Sequence, residues 1–315
     1  MKLEPEIKTL KASDGSMLTY QRAGSGKEVI VLVNAPGMSI EFWSWMVRAL
    51  HDDHVVIAFD YRGSIDAGSQ AGDVELSLDD IVGDLTAILV NEAVTAAYFV
   101  SWGLGAKLAF EFYLRFPAKV LSLSPISMDE EVFHRNAKSR YTETVLSVGR
   151  QLDASPGSIN VVTKTIRRIG APSSINLFLT ALRTDDLGPI VDLMDLLVLE
   201  NSMSNLALHY LERPEGLVNF LKLYEVFSRF EVDVDFESID VPVVIIEGEC
   251  DGLAAIGAQV RNDLDSIPRL EWKTVEKASH FLPIEYPEKT ASIIKYAIES
   301  HATLARTNER FAVCV

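Results

Sequence analysis

The chain has 315 residues and 48% apolar composition, and its 45 acidic against 29 basic side chains leave a formal charge of −16. That balance excludes a disordered chain, and it argues against nucleic-acid or anionic-membrane partners, which are held by clustered Lys and Arg. No run of about 18 apolar residues is present, and the first 15 residues lack a signal peptide's apolar stretch, so a soluble, cytoplasmic protein is expected.

In chain order, Ile7–Ala12 and Met17–Arg22 flank Asp14-Gly15 and predict a hairpin. Val29–Asn34 and Val55–Asp60 are short apolar runs suited to buried parallel strands, with helical spacing at Phe42–Leu50 between them. Ser77, three residues before Asp80, is an N-cap for the helical stretch that follows. Ala97–Ser101 is a strand, then comes a glycine-bearing turn and a helix over Ala106–Phe116 that stops at Pro117. Val120–Ser124 is a further strand. From about Ile126 to Glu237 the period changes to 3–4, as in 175–183, 190–203 and 217–230. Strand signals return at Val243–Glu247 and Leu270–Val275, with helices at Ala254–Leu264 and Pro287–Ser300; residues after His301 read as a tail. The alternation predicts an α/β fold, a mostly parallel twisted sheet with flanking helices. Residues 1–125 and 240–315 would form its core, and 126–239 a helical cap over the carboxyl edge of the strands, where ligands of such sheets bind.

At Ser101-Trp102-Gly103-Leu104-Gly105 a strand ends in a tight turn and a helix begins, the setting of a nucleophile elbow. Here the chain resembles the α/β-hydrolase superfamily. The likeness runs through residues 31–43 (the oxyanion segment), 58–69, 77–89, 241–252 (the acid-bearing strand end) and 275–289 (the histidine loop). It implies the α/β-hydrolase fold and places the family's acid on Asp251 and its histidine on His280. It places the nucleophile on Gly103, which has no side chain to attack with. Taking Ser101 instead would set bulky Phe99 where the turn needs a small residue.

Losing such a serine costs about 10⁶ in turnover, so covalent acyl transfer is excluded. The oxyanion donors are expected from Leu104 and from either Pro36, which lacks an N–H, or Ala35. What remains is His280 as general base oriented by Asp251, worth roughly 10²–10⁴. That suits elimination, cyclisation or water attack on a small apolar acyl, ester or polyketide-like carbonyl compound. Two other readings stay open: an esterase or thioesterase inactivated by replacement at Gly103, and a ligand-binding protein without catalysis. No metal or organic cofactor is implied, the partner is a small-molecule substrate, and the oligomeric state is open. The pattern His51-Asp52-Asp53-His54 reads as a solvated turn, not a metal site, and Cys250 as a small buried residue, not a nucleophile. Asp60 and Arg62 read as structural. Trp43 and Trp102 either line the cavity or pack the core.

Overall fold

The computed structural model describes residues 5–62, 76–134, 136–138, 140–154, 157, 159–160, 214–252, 254 and 256–312. The helical readings at 175–183 and 190–203 lie outside these residues, as does most of the 58–69 segment after Arg62.

Glu6–Lys11 (β1) and Met17–Ala23 (β2) pair antiparallel, with Lys11 opposite Met17. Asp14 accepts the Ser16 N–H at 2.9 Å and so holds the turn between them. Val29–Val33 (β3) and Val55–Phe59 (β4) are β-branched, apolar strands covered on both faces, as central parallel strands must be. Between them, a 3₁₀ turn at Ile40–Trp43 leads into Ser44–Leu50 (α1). The helical reading from Phe42 therefore starts inside that tighter turn.

Ser77 caps Leu78–Asn91 (α2) through a reciprocal box: its side chain accepts the Asp80 N–H, and the Asp80 carboxylate accepts the Ser77 N–H. Ala97–Trp102 (β5), Gly105–Arg115 (α3) and Val120–Ile126 (β6) follow. Arg140–Ala154 (α4) and Pro214–Arg229 (α5) lie between β6 and Val243–Gly248 (β7), and pack on each other where Gly149 meets Leu221. Ala258–Leu264 (α6), Leu270–Val275 (β8), a helical turn at Leu282–Glu285 and Pro287–Ala312 (α7) complete the chain.

The eight strands order β1-β2-β4-β3-β5-β6-β7-β8 and are parallel from β4 onward. The fold is thus the expected mostly parallel sheet with flanking helices. Two expectations need correction. The residues after His301 are not a tail: α7 runs through them to Ala312, because nothing in that stretch carries a Gly or Pro stop signal. The helix expected from Ala254 begins only at Ala258, after Gly257. Among the described residues, no helix is long and apolar enough to cross a membrane.

Candidate active site

The turn between β5 and α3 is built by what its neighbours forbid. A Cβ on Gly105 would come within 2.4 Å of the Asn34 carbonyl oxygen, so α3 can start there only on glycine. Two residues earlier, Gly103 has φ +53 and its N–H donates to the Ile126 oxygen at 2.9 Å. Here a Cβ would meet only ordinary contacts, Ala35 Cβ at 3.6 Å and His280 Nε2 at 3.9 Å. The position has room for a side chain and has none. Ser101 is interior to β5, buried, and paired with Val33 and Pro125.

His280 reaches this turn from the loop after β8. Its Nδ1 stands 3.2 and 3.1 Å from the two Asp251 carboxylate oxygens, with the Asp251 side chain 4% exposed. Trp102 holds the same loop from the other side. Its indole N–H donates to the His280 carbonyl at 2.9 Å, and the two rings lie 5.0 Å apart at their centroids. Asp251 stands just beyond β7, and its carboxylate accepts the Ala254 N–H at 2.8 Å. Burial alone would raise its pKa; the His280 charge and hydrogen bond, Ala254 and the nearby Ser127 hydroxyl together hold it below the ordinary value. The Cys250 N–H donates to the Ala278 oxygen at 2.9 Å and so couples the acid's loop to the histidine's.

On the opposite wall, Pro36 and Gly37 form the centre of a turn closed by the Met38 N–H to the Ala35 oxygen at 3.2 Å. Pro36 offers no N–H. Ala35 is buried with its methyl against Gly103, and Leu104, also buried, is the N-cap residue of α3. Trp102 packs on Phe42 at 4.4 Å, whereas Trp43 sits wholly in the core.

Four residues at this edge were not singled out from the sequence. Ser127, with φ +48, directly follows β6 beside Asp251. Asp129 accepts the Glu131 N–H at 2.9 Å. Burial and the Glu131 charge push its pKa up to about 7, against opposing pulls from the Glu131 N–H, His280 and Lys107. Lys107 and Glu131 are both fully buried and 3.8 Å apart. The acid-rich run Met128–Glu131 at a strand's carboxyl end was the available signal. A cavity of about 310 Å³ lies on the β7 side; its walls include Asp251 but neither His280 nor Gly103.

Elsewhere, Arg62 binds Asp84 bidentately and Asp60 accepts the Ile40 N–H, both structural contacts. Among the described residues no group of three metal-binding side chains occurs. His54 is not solvated as expected: it is buried, with Nδ1 3.3 Å from the Leu50 oxygen. Cys250 is exposed, not buried, because it sits in the turn that leaves β7.

A profile of the alpha/beta hydrolase family matches residues 30–293. In sequence, 146 residues are 24% identical to the dihydrolipoyllysine-residue acetyltransferase component of the acetoin cleaving system of Cupriavidus necator. That match covers 45% of this chain and spans only 37% of the relative's length. MGS-M2, an alpha/beta hydrolase enzyme from a Medee basin deep-sea metagenome library, superposes with a TM-score of 0.67 at 16% identity, over 93% of this chain and 97% of that one. The enol-lactonase from Burkholderia xenovorans LB400 gives 0.64 at 16% identity, over 93% and 100%. At such identities the likeness establishes the fold.

Proposed function

The chain belongs to the alpha/beta hydrolase family, and from that premise we propose that it is an enzyme of non-covalent general-base chemistry. His280 takes a proton through Nε2, and Asp251 fixes its tautomer and stabilises the imidazolium that forms. Gly103 occupies the nucleophile position, so no acyl-enzyme forms. The Leu104 N–H is the oxyanion donor, joined by Ala35 and not by Pro36. The substrate is a small apolar acyl, ester or lactone-like carbonyl compound, roofed by residues 126–239 acting as a cap.

The observation that carries the reading is the 3.9 Å between His280 Nε2 and the place of a Gly103 Cβ, with Asp251 on the far ring nitrogen. A carboxylate held in its charged form beside Nδ1 supports a ring whose proton sits on Nδ1 and whose Nε2 accepts.

Turnover of 4-nitrophenyl esters and small lactones by the wild type, His280→Ala and Asp251→Asn tests it. Both variants are expected to lose about 10²–10⁴ in kcat. Activity that survives His280→Ala overturns the base assignment.

Room for a Cβ at Gly103 favours a second reading, a serine enzyme that has lost its nucleophile. Gly103→Ser separates the two. A burst of 4-nitrophenol and a covalent fluorophosphonate adduct, with a gain of more than about 10³ in ester hydrolysis, supports the second reading. Unchanged or lower activity supports the first.

A further inference from the structure

We propose that the space above Gly103 is an acceptor subsite for the hydroxymethyl group of a primary alcohol, which stands where a nucleophile side chain would. The inference rests on His280 acting as base. A carbon at the Gly103 Cβ position lies 3.6 Å from the Ala35 methyl and 3.9 Å from Nε2, both comfortable contacts. An oxygen one bond beyond it, turned toward the ring, enters the hydrogen-bond range of about 2.7–3.2 Å.

The Ala35 methyl gives apolar contact to the carbon of a CH₂–OH group, and the imidazole gives an acceptor to its hydroxyl. A water can take the same acceptor but not the apolar contact, so the ratio of ester to acid formed decides between them. Gly103 contributes in a second way. At φ +53 a serine would carry backbone strain, and a substrate hydroxymethyl group reaches the same place without it.

The step balances without a further reagent. The alcohol O–H gives its proton to Nε2 as its oxygen bonds to the acyl carbon. The tetrahedral adduct collapses, the bond to the leaving group breaks, and the imidazolium returns the proton to that group. With a separate alcohol the product is a transferred ester; with a hydroxyl on the acyl chain itself it is a lactone.

The full-length protein is incubated with 4-nitrophenyl acetate and increasing methanol, and separately with methyl 4-hydroxybutanoate. Methyl acetate relative to acetate is expected to exceed the ratio formed in buffer by about tenfold or more and to saturate with methanol. Lactone formation without any methanol effect on the acetate ratio assigns the subsite to hydroxyls on the acyl chain. A saturable methanol shift of the His280 ¹⁵Nε2 resonance, lost in Gly103→Ala, locates the alcohol independently of turnover. If ester hydrolysis depends on His280 while products keep the buffer ratio and no lactone forms, the acceptor subsite is overturned and the base survives. If nothing depends on His280, both fall.

Discussion

Asp60 closes β4 with its side chain buried, and the Ile40 N–H at 2.8 Å is its hydrogen-bond donor. Burial, aided by the Glu41 charge and opposed by that hydrogen bond, raises its pKa from 3.8 to about 7. Between these values the folded chain binds more protons at this site than the unfolded chain. Its contribution to stability is full below about pH 4 and is lost as pH rises through about 7. Asp60→Asn keeps an acceptor for Ile40 and removes the charge, so it is expected to flatten that slope. At pH 8 the gain should be a few kcal/mol, at about 1.4 kcal/mol for each tenfold change in proton affinity between the folded and unfolded chains. Urea midpoints from pH 4 to 8 read this directly, and parallel curves for the two proteins would count against it. Asp60, Asp251 and His280 were legible through the resemblance to the α/β-hydrolase superfamily, whose corresponding positions fall at strand ends and in a loop that the chain's segments match in order. Ser127 and Asp129 escaped sequence reading, since their importance comes from which loops fold against them, and no local pattern encodes that. Cys250 and His54 went wrong for the same reason: a turn's side chains face in or out according to what packs above.

Elements were more legible than residues. β-branched runs and the Ser77 cap fixed the strands and α2 to within a residue or two, because both signals are local. The 3–4 period between β6 and β7 marks helices but not where they dock. One contact that docks α5 is made by Lys107 of α3. Its ammonium donates to the carbonyls of Phe227 at 2.7 Å and Phe230 at 3.0 Å, at the C-terminal end of α5. Cations belong at such ends, where the last carbonyls lack helical donors. Burial lowers the pKa of Lys107 to about 8, even with Glu131 and Asp129 opposing it, so the charge is retained at a cost. Lys107→Met is expected to destabilise the protein by about 3–5 kcal/mol, because it leaves two carbonyls and the Glu131 charge without their cation. Lys107→Met with Glu131→Gln should recover part of that loss in urea unfolding at pH 7. No recovery would mean that Glu131 is not what the lysine neutralises.

Over the whole molecule, 45 acids against 29 bases leave a surplus charge of −16. Two opposing effects respond to salt. Exposed pairs such as Arg115 with Glu111 and Lys295 with Asp53 weaken as salt rises. Each such pair is worth only about 0–1 kcal/mol, so their loss is small. Repulsion among the surplus carboxylates acts over a Debye length of about 30 Å at 0.01 M and is cut to about 10 Å at 0.1 M. The compact state brings those charges together and the unfolded chain separates them, so screening favours folding. Raising sodium chloride from about 0.01 to 0.3 M should therefore raise Tm by about 2–5 °C, equivalent to roughly 1–3 kcal/mol for a chain of this size. Calorimetry at pH 7 in a low-ionic-strength buffer reads the shift. A falling Tm would mean that the ion pairs outweigh the surplus charge. The same field bears on the site, because an anionic acyl compound approaches an acidic protein against it. Its kcat/KM should rise with salt while that of a neutral ester stays flat, and the difference between the two slopes separates steering from stability.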